Sequence, residues 1–151
     1  QRGVCGNLKT LDPPLSPMLW TSMATGVRPY KHGIGGFVEP SPDGEGLRPV
    51  TSTSRKVKAI WNMLHFKKMK SNVVSWWPSN PVEPINGTMV SNLFHVPNTS
   101  KIEEWKLGPH SVYPESIKEE LGKLRVHPSE ITLNMLVPFI PNASKDKELR
   151  K

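Results

Sequence analysis

The stretch SRKVKAIWNMLHFKKMKSNVVSWW, residues 54–77, constrains the fold more than any other part of the chain. Val57, Ile60, Trp61 and Leu64 recur at the i, i+3, i+4, i+7 spacing that lays one buried stripe along a helix. Ser54 is placed to cap that helix, and Lys56, Lys58, Lys67, Lys68 and Lys70 fall largely outside the stripe. NVVSWW follows at once, β-branched and aromatic, and reads as a strand. A helix handed to a strand across about two residues is the rhythm of an α/β fold with a mostly parallel sheet.

Residues 16–25 are helical in pattern, with Ser16 as a good N-cap, Pro17 at the first helical position and Gly26 at the stop. Leu19, Met23 and Trp20 are then expected to face the core. RGVCGNLKTL, within residues 1–12, reads as a short strand entering a loop, and residues 33–53 read as loop because GIGGF and EPSPDGEG hold so many glycines. GTMVSNLF is either another strand or an irregular segment. YPESIKEELGKLRV is expected to be a helix, with Pro114 near its start and Ile117, Leu121 and Leu124 on one face. HPSEITLNML opens a further helix, with Ser129 or His127 near its cap. There is no internal repeat.

Composition excludes more than it selects. Hydrophobic residues at 36% and charged residues at 22% suit a globular chain rather than a disordered one. No apolar run approaches the roughly 20 residues of a membrane span. The single cysteine, Cys5, excludes an internal disulfide framework and a cysteine-based zinc cluster. The net charge of +7 invites a nucleic-acid reading, but the lysines concentrate on one helix and at the C-terminal end, as a solvated face would. Nucleic acid is therefore not the expected partner. The chain begins with Gln1 rather than Met and ends in SKDKELRK, which suggests a piece of something longer. The compartment leans to the cytoplasm and stays compatible with export, and nothing in the sequence sets the oligomeric state.

Ser16 poses the chemical question, because it stands at a helix start inside DPPLSPMLW. A serine hydroxyl is a poor nucleophile until its alkoxide is stabilised. Free N–H groups and the partial positive charge at a helix N-terminus favour an alkoxide or a bound phosphate, and a metal ion does so more strongly. On local sequence alone, capping is the commoner use of such a serine.

The five histidines show no H-x-x-H or H-E-x-x-H spacing. His65, His95, His110 and His127 are accordingly assigned no metal. Of Trp76 and Trp77, one is free to line a pocket while the other packs in the core, since strand side chains alternate. Arg55 and Lys56 are minor candidates for a phosphate-binding helix start. Asn86, Asn98 and Asn142 match the glycosylation acceptor pattern, which matters only in a secreted protein.

PPLSPMLWTSMATGVRPYKHGIGGF resembles the nucleophile segment of the type I phosphodiesterase and nucleotide pyrophosphatase family, in the alkaline phosphatase superfamily. Ser16, Thr25-Gly26 and His32-Gly33-Ile34 keep that family's spacing without a gap. KAIWNML, VVSWWPSNPVEPINGTMVS and VYPESIKEELGKLRVHPSEI resemble segments of its bacterial members in the same order. The resemblance implies part of an alkaline-phosphatase-like three-layer sandwich, with the whole of residues 1–151 an incomplete domain. It implies a phosphoester hydrolase, most naturally of a phosphodiester, in which Ser16 is a metal-bound nucleophile that forms a covalent phospho-enzyme. Two zinc ions are the implied cofactors, a small-molecule phosphoester the implied partner, and His32 a structural rather than a metal-binding residue.

The family's other metal ligands, an Asp before this segment and Asp and His residues well after it, fall outside the chain. The isolated chain is therefore expected to be inactive and, with unpaired sheet edges, poorly soluble. Phe37 stands where nucleotide pyrophosphatases carry a phosphate-contacting Asn, so the usual phosphate clamp is missing; Phe37 and Trp77 are the candidate substrate contacts. Two other readings stay open. One is a non-catalytic member that keeps the fold without its metal site, and the other is a basic anion- or nucleic-acid-binding module using the helix at 55–70.

Overall fold

Helix α1, Ser16–Thr25, begins where the proline-rich segment ends and stops at Gly26, whose φ of 70° is a left-handed cap that glycine adopts without strain. The computed structural model describes residues 3–145. Before α1 the described residues are mostly exposed and form neither helix nor strand, in contrast to the strand expected in RGVCGNLKTL. The buried side of α1 carries Pro17, Met18, Thr21, Ala24 and Thr25, whereas Met23 is 66% exposed and Trp20 is also exposed. Reading the large apolar residues as the inner face was therefore wrong for Met23 and Trp20. The helix packs on its small residues, which allow a closer approach to its neighbours.

One further helical turn, α2, spans Pro29–His32. Residues 33–53 are not simply loop. Strands β1, Val38–Pro40, and β2, Leu47–Pro49, pair antiparallel, and Glu39 bonds Arg48 across the ladder at 2.7 Å. The glycines that suggested a loop turn this hairpin, with Gly44 and Gly46 both at φ 79°.

The helix anticipated after Ser54 starts later. A 3₁₀ turn occupies Ser52–Ser54, and the Ser54 hydroxyl accepts the Thr51 N–H and donates to Glu39, each at 2.9 Å or less. Helix α3 spans Ile60–Phe66, and the Asn62 side-chain oxygen caps it by accepting the Ala59 N–H at 2.8 Å. Trp61 and Asn62 are buried, Val57 and Leu64 are half-buried, and Ile60 is 56% exposed, so Ile60 leaves the expected stripe. The five lysines placed outside the stripe are all exposed.

Strand β3, Ser71–Val74, is the first half of NVVSWW, and Ser75 at φ 52° turns the chain before the tryptophans. Strand β4, Gly87–Val90, lies parallel to β3 in the register Ser71 to Gly87, and SNLF after it is a turn. Gly87 is required there: a Cβ at that position would collide with the Ser71 carbonyl oxygen. Strand β5, Val112–Tyr113, pairs antiparallel with β4, giving the order β3-β4-β5. The chain is α/β in character. Its described sheet joins one parallel to one antiparallel pairing, and the mostly parallel sheet is not displayed by these residues.

Ala24, Ala59, Trp61, Val73, Ile85 and Met89 form the core between α1, α3 and this sheet, with Trp76, Val82 and Tyr113 packed on it. Glu83 anchors that core: one oxygen accepts from Arg55 at 2.7 Å and from Asn62 at 3.2 Å, the other from the Trp61 indole at 2.8 Å.

The helix expected over YPESIKEELGKLRV is two pieces, a 3₁₀ turn at Glu115–Ile117 and helix α4, Lys118–Gly122. It ends at Gly122, a weak helix former, which leaves Leu124 73% exposed rather than on a shared face with half-buried Ile117 and Leu121. His127 caps a 3₁₀ turn at Pro128–Glu130, its ring accepting the Ser129 N–H, and helix α5, Leu133–Leu136, follows separately. No helix of the described residues is long and apolar enough to cross a membrane.

Candidate functional site

Ser16 is the first residue of α1, and it is exposed. It is not the cap. Leu15 occupies that place, no side chain bonds the helix start, and the Ser16 hydroxyl is committed to no hydrogen bond among the described residues. The first helical bond runs from the Leu19 N–H to the Leu15 carbonyl at 3.0 Å. The N–H groups of Ser16 and Met18 precede it, and Pro17 has none. This end of a ten-residue helix thus carries N–H donors and partial positive charge beside an uncommitted hydroxyl.

Ser22 and His32 form the pair that a search for activated serines would notice first, with Oγ and Nε2 2.9 Å apart. Their protons rule that role out. Nδ1 of His32 accepts the Ile34 N–H at 3.2 Å, so the ring proton sits on Nε2 and is donated to Ser22 Oγ. Ser22 in turn donates to the Met18 carbonyl at 2.8 Å. A histidine that gives a proton to a serine cannot take one from it. His32 is completely buried and ties α2 to α1, in agreement with the structural role expected for it. Burial holds its imidazole below the ordinary value of 6.5; the hydrogen bond toward Met18 opposes that shift and the charge of Arg55 adds to it. Sequence reasoning missed Ser22, whose i+10 spacing to His32 carries no recognisable signal.

Phe37 and Trp77 meet edge to face, with ring centroids 5.4 Å apart. Phe37 is 51% exposed and Trp77 half-buried, so the pair presents an apolar wall to solvent. Gly36, the neighbour of Phe37, lies beside the Leu15 side chain, where a Cβ would stand 3.6 Å from Leu15 Cδ1. Trp76 goes the other way. It packs between Trp20 and Trp61, at 5.1 and 6.1 Å, and its indole donates to the Trp20 carbonyl at 3.2 Å. The two tryptophans do separate, but through the turn at Ser75 rather than through strand alternation.

Arg55 is not a phosphate ligand. Its side chain is 6% exposed, paired with Glu83, and donates to the Val57 carbonyl and to Asn62; Lys56 alone points out. Of the other histidines, His127 is buried and held by Ser129 and the Thr99 carbonyl, while His65, His95 and His110 are exposed. Among the described residues no group of three or more His, Cys, Asp or Glu side chains could hold a metal ion. Asn86 spends its side chain on the Lys68 carbonyl, whereas Asn98 and Asn142 are exposed.

A family model described as type I phosphodiesterase / nucleotide pyrophosphatase matches residues 1–140. No curated protein and no solved structure matches the chain. The matched span contains Ser16, Phe37 and Trp77.

Proposed function

This chain belongs to the type I phosphodiesterase / nucleotide pyrophosphatase family, and from that premise we propose that it is part of a phosphoester hydrolase with Ser16 as its nucleophile. The observation that carries the proposal is the Ser16 hydroxyl, exposed and uncommitted at the start of α1. A phosphodiester fits the reaction best. Ser16 Oγ attacks phosphorus, the Oγ–P bond forms as the bond to the leaving oxygen breaks, and the serine proton passes to solvent. The seryl phosphodiester so formed keeps the other ester substituent; water then attacks its phosphorus, the Oγ–P bond breaks, the phosphomonoester leaves and the hydroxyl is restored. The first-turn N–H groups of α1 stabilise charge on the phosphoryl oxygens during both steps. Phe37 and Trp77 form the wall for the ester substituent, so an apolar or aromatic group is preferred there.

The proposal includes an alkaline-phosphatase-like three-layer sandwich, of which residues 1–151 are part. It also includes dependence on divalent metal, with zinc as the ion. The residues present do not fit such a site by themselves: Ser16 offers one oxygen, and the described residues supply no cluster of further donors. No step above is routed through a metal. On this reading the other ligands come from outside the chain, and the 151-residue chain alone is inactive. The same lack of donors favours a second reading, a member that keeps the fold and has lost catalysis.

The test is turnover of an activated aryl phosphodiester by the full-length protein, with and without zinc. Ser16→Ala is expected to lower kcat by at least about 1,000-fold, and acid quenching of the parent protein to trap a phosphodiester on Ser16 that keeps the non-leaving ester group. Full activity in the Ser16→Ala protein would remove Ser16 as nucleophile. A folded, zinc-supplied parent with no turnover would establish the second reading.

A further inference from the structure

A cleft of about 500 Å³ lies between the Lys106–Leu107 segment and α4, far in sequence from Ser16. Lys106, Lys118, Lys123 and Arg125 line it against a single carboxylate, Glu119. Two of these cations are withdrawn from water. The Lys118 side chain is 15% exposed, and its ammonium holds one partner, Glu115 at 2.8 Å, where it has three protons to give. The Arg125 guanidinium lies 3.9 Å over the Trp105 ring and donates to the Trp105 carbonyl at 2.7 Å. Its Nε is buried with no hydrogen-bond partner among the described residues. Among the described residues nothing acidic pairs with Arg125; Glu115 is taken up by Lys118, and Glu120 is exposed on α4.

Burying cations with donors to spare is costly unless something supplies the missing acceptors. We propose that this cleft is a binding site for a small ligand carrying a multiply charged phosphate or pyrophosphate group. Arg125 is pre-organised for it, since stacking on Trp105 fixes the plane of its guanidinium before any ligand arrives. Gly122 shapes the wall. A Cβ there would stand 2.8 Å from Leu107 Cδ1, so glycine lets Leu107 close the apolar side of the cleft. Among the described residues no aromatic ring lines the cleft, so it selects charge rather than a nucleobase.

Calorimetric titration of pyrophosphate into the full-length Ser16→Ala protein, with chelator present, tests the site apart from the proposed nucleophile. One saturable site is expected, and ADP should bind within about threefold of pyrophosphate because the base goes unread. Lys106→Gln with Lys123→Gln, both exposed positions, should weaken binding at least about tenfold by removing two of the four charges. Glu119→Gln should tighten it about threefold by removing the like-signed carboxylate. Lys56→Gln with Lys58→Gln, on another surface, should change nothing. Absence of saturable binding at millimolar pyrophosphate overturns the proposal. So does equal weakening by the two lysine pairs, or binding confined to long oligonucleotides with a steep salt dependence, which would mark an extended basic surface instead.

Discussion

Arg55 and Arg125 both lie over a tryptophan, at 5.3 Å from the Trp61 ring and 3.9 Å from the Trp105 ring, yet they end in opposite circumstances. Arg55 meets the Glu83 carboxylate, the Asn62 oxygen and the Val57 carbonyl, and its neighbour Trp61 donates to the same carboxylate. Arg125 meets the Trp105 carbonyl and, at 3.5 Å, that of Phe94, and one nitrogen is left over. The first arrangement is closed and holds the core together. The second is a charge held in place without a counter-charge among the described residues, which is what a site for an anion requires. The contrast extends to the serines: Ser22 is locked between Met18 and His32, while the Ser16 hydroxyl has no hydrogen-bond partner among the described residues.

The largest test of this contrast is stability. Glu83→Ala leaves Arg55, 6% exposed, without its partner and should cost about 3 kcal/mol, at the lower end for a buried pair because Glu83 is 24% exposed. Arg125→Met, which removes no charge partner, should cost only about 1 kcal/mol. Urea unfolding of the two variants compares them directly, and equal losses would erase the distinction.

A second, smaller effect follows from pH. The folded protein holds His32 below its ordinary value of 6.5, so between that lowered value and 6.5 the unfolded chain binds more protons. The stability contributed by neutral His32 is complete above about pH 6.5 and falls as pH drops below it, by at most about 1.4 kcal/mol per unit. His32→Gln should flatten that part of the profile, and an unchanged slope would show that the His32 pin does not couple α1 to α2.

The smallest expected effect separates the serines. Ser22→Ala breaks two hydrogen bonds and should cost about 1 kcal/mol, whereas Ser16→Ala should stay within about 0.5 kcal/mol of the parent by thermal unfolding. A larger loss at Ser16 would mean that its hydroxyl caps the helix after all.

Part of this was legible in the chain. Pro17 and Gly26 bracket α1, and β3, Ser71–Val74, takes in the β-branched start of NVVSWW. The segment at Ser16 was legible as part of a family, which the family model over residues 1–140 bears out. Met23 was misread because periodicity counts large apolar residues, while α1 is buried on Thr21, Ala24 and Thr25. Ser54 was misread because its hydroxyl is claimed by Glu39, 15 residues away, which no local capping rule contains.

By itself the sequence determined where elements start and stop whenever the cause lies within a few residues: proline at a helix entrance, glycine in the left-handed region, a β-branched run. Those effects are backbone sterics and act locally. Only the tertiary structure decided which polar groups are neutralised. Arg55 finds Glu83 across 28 residues, Asn62 turns inward to cap α3 and complete that pair, and Arg125 finds no carboxylate among the described residues. Burial makes such pairings matter, because water no longer supplies the missing partner, and burial is a property of the packed chain rather than of any segment.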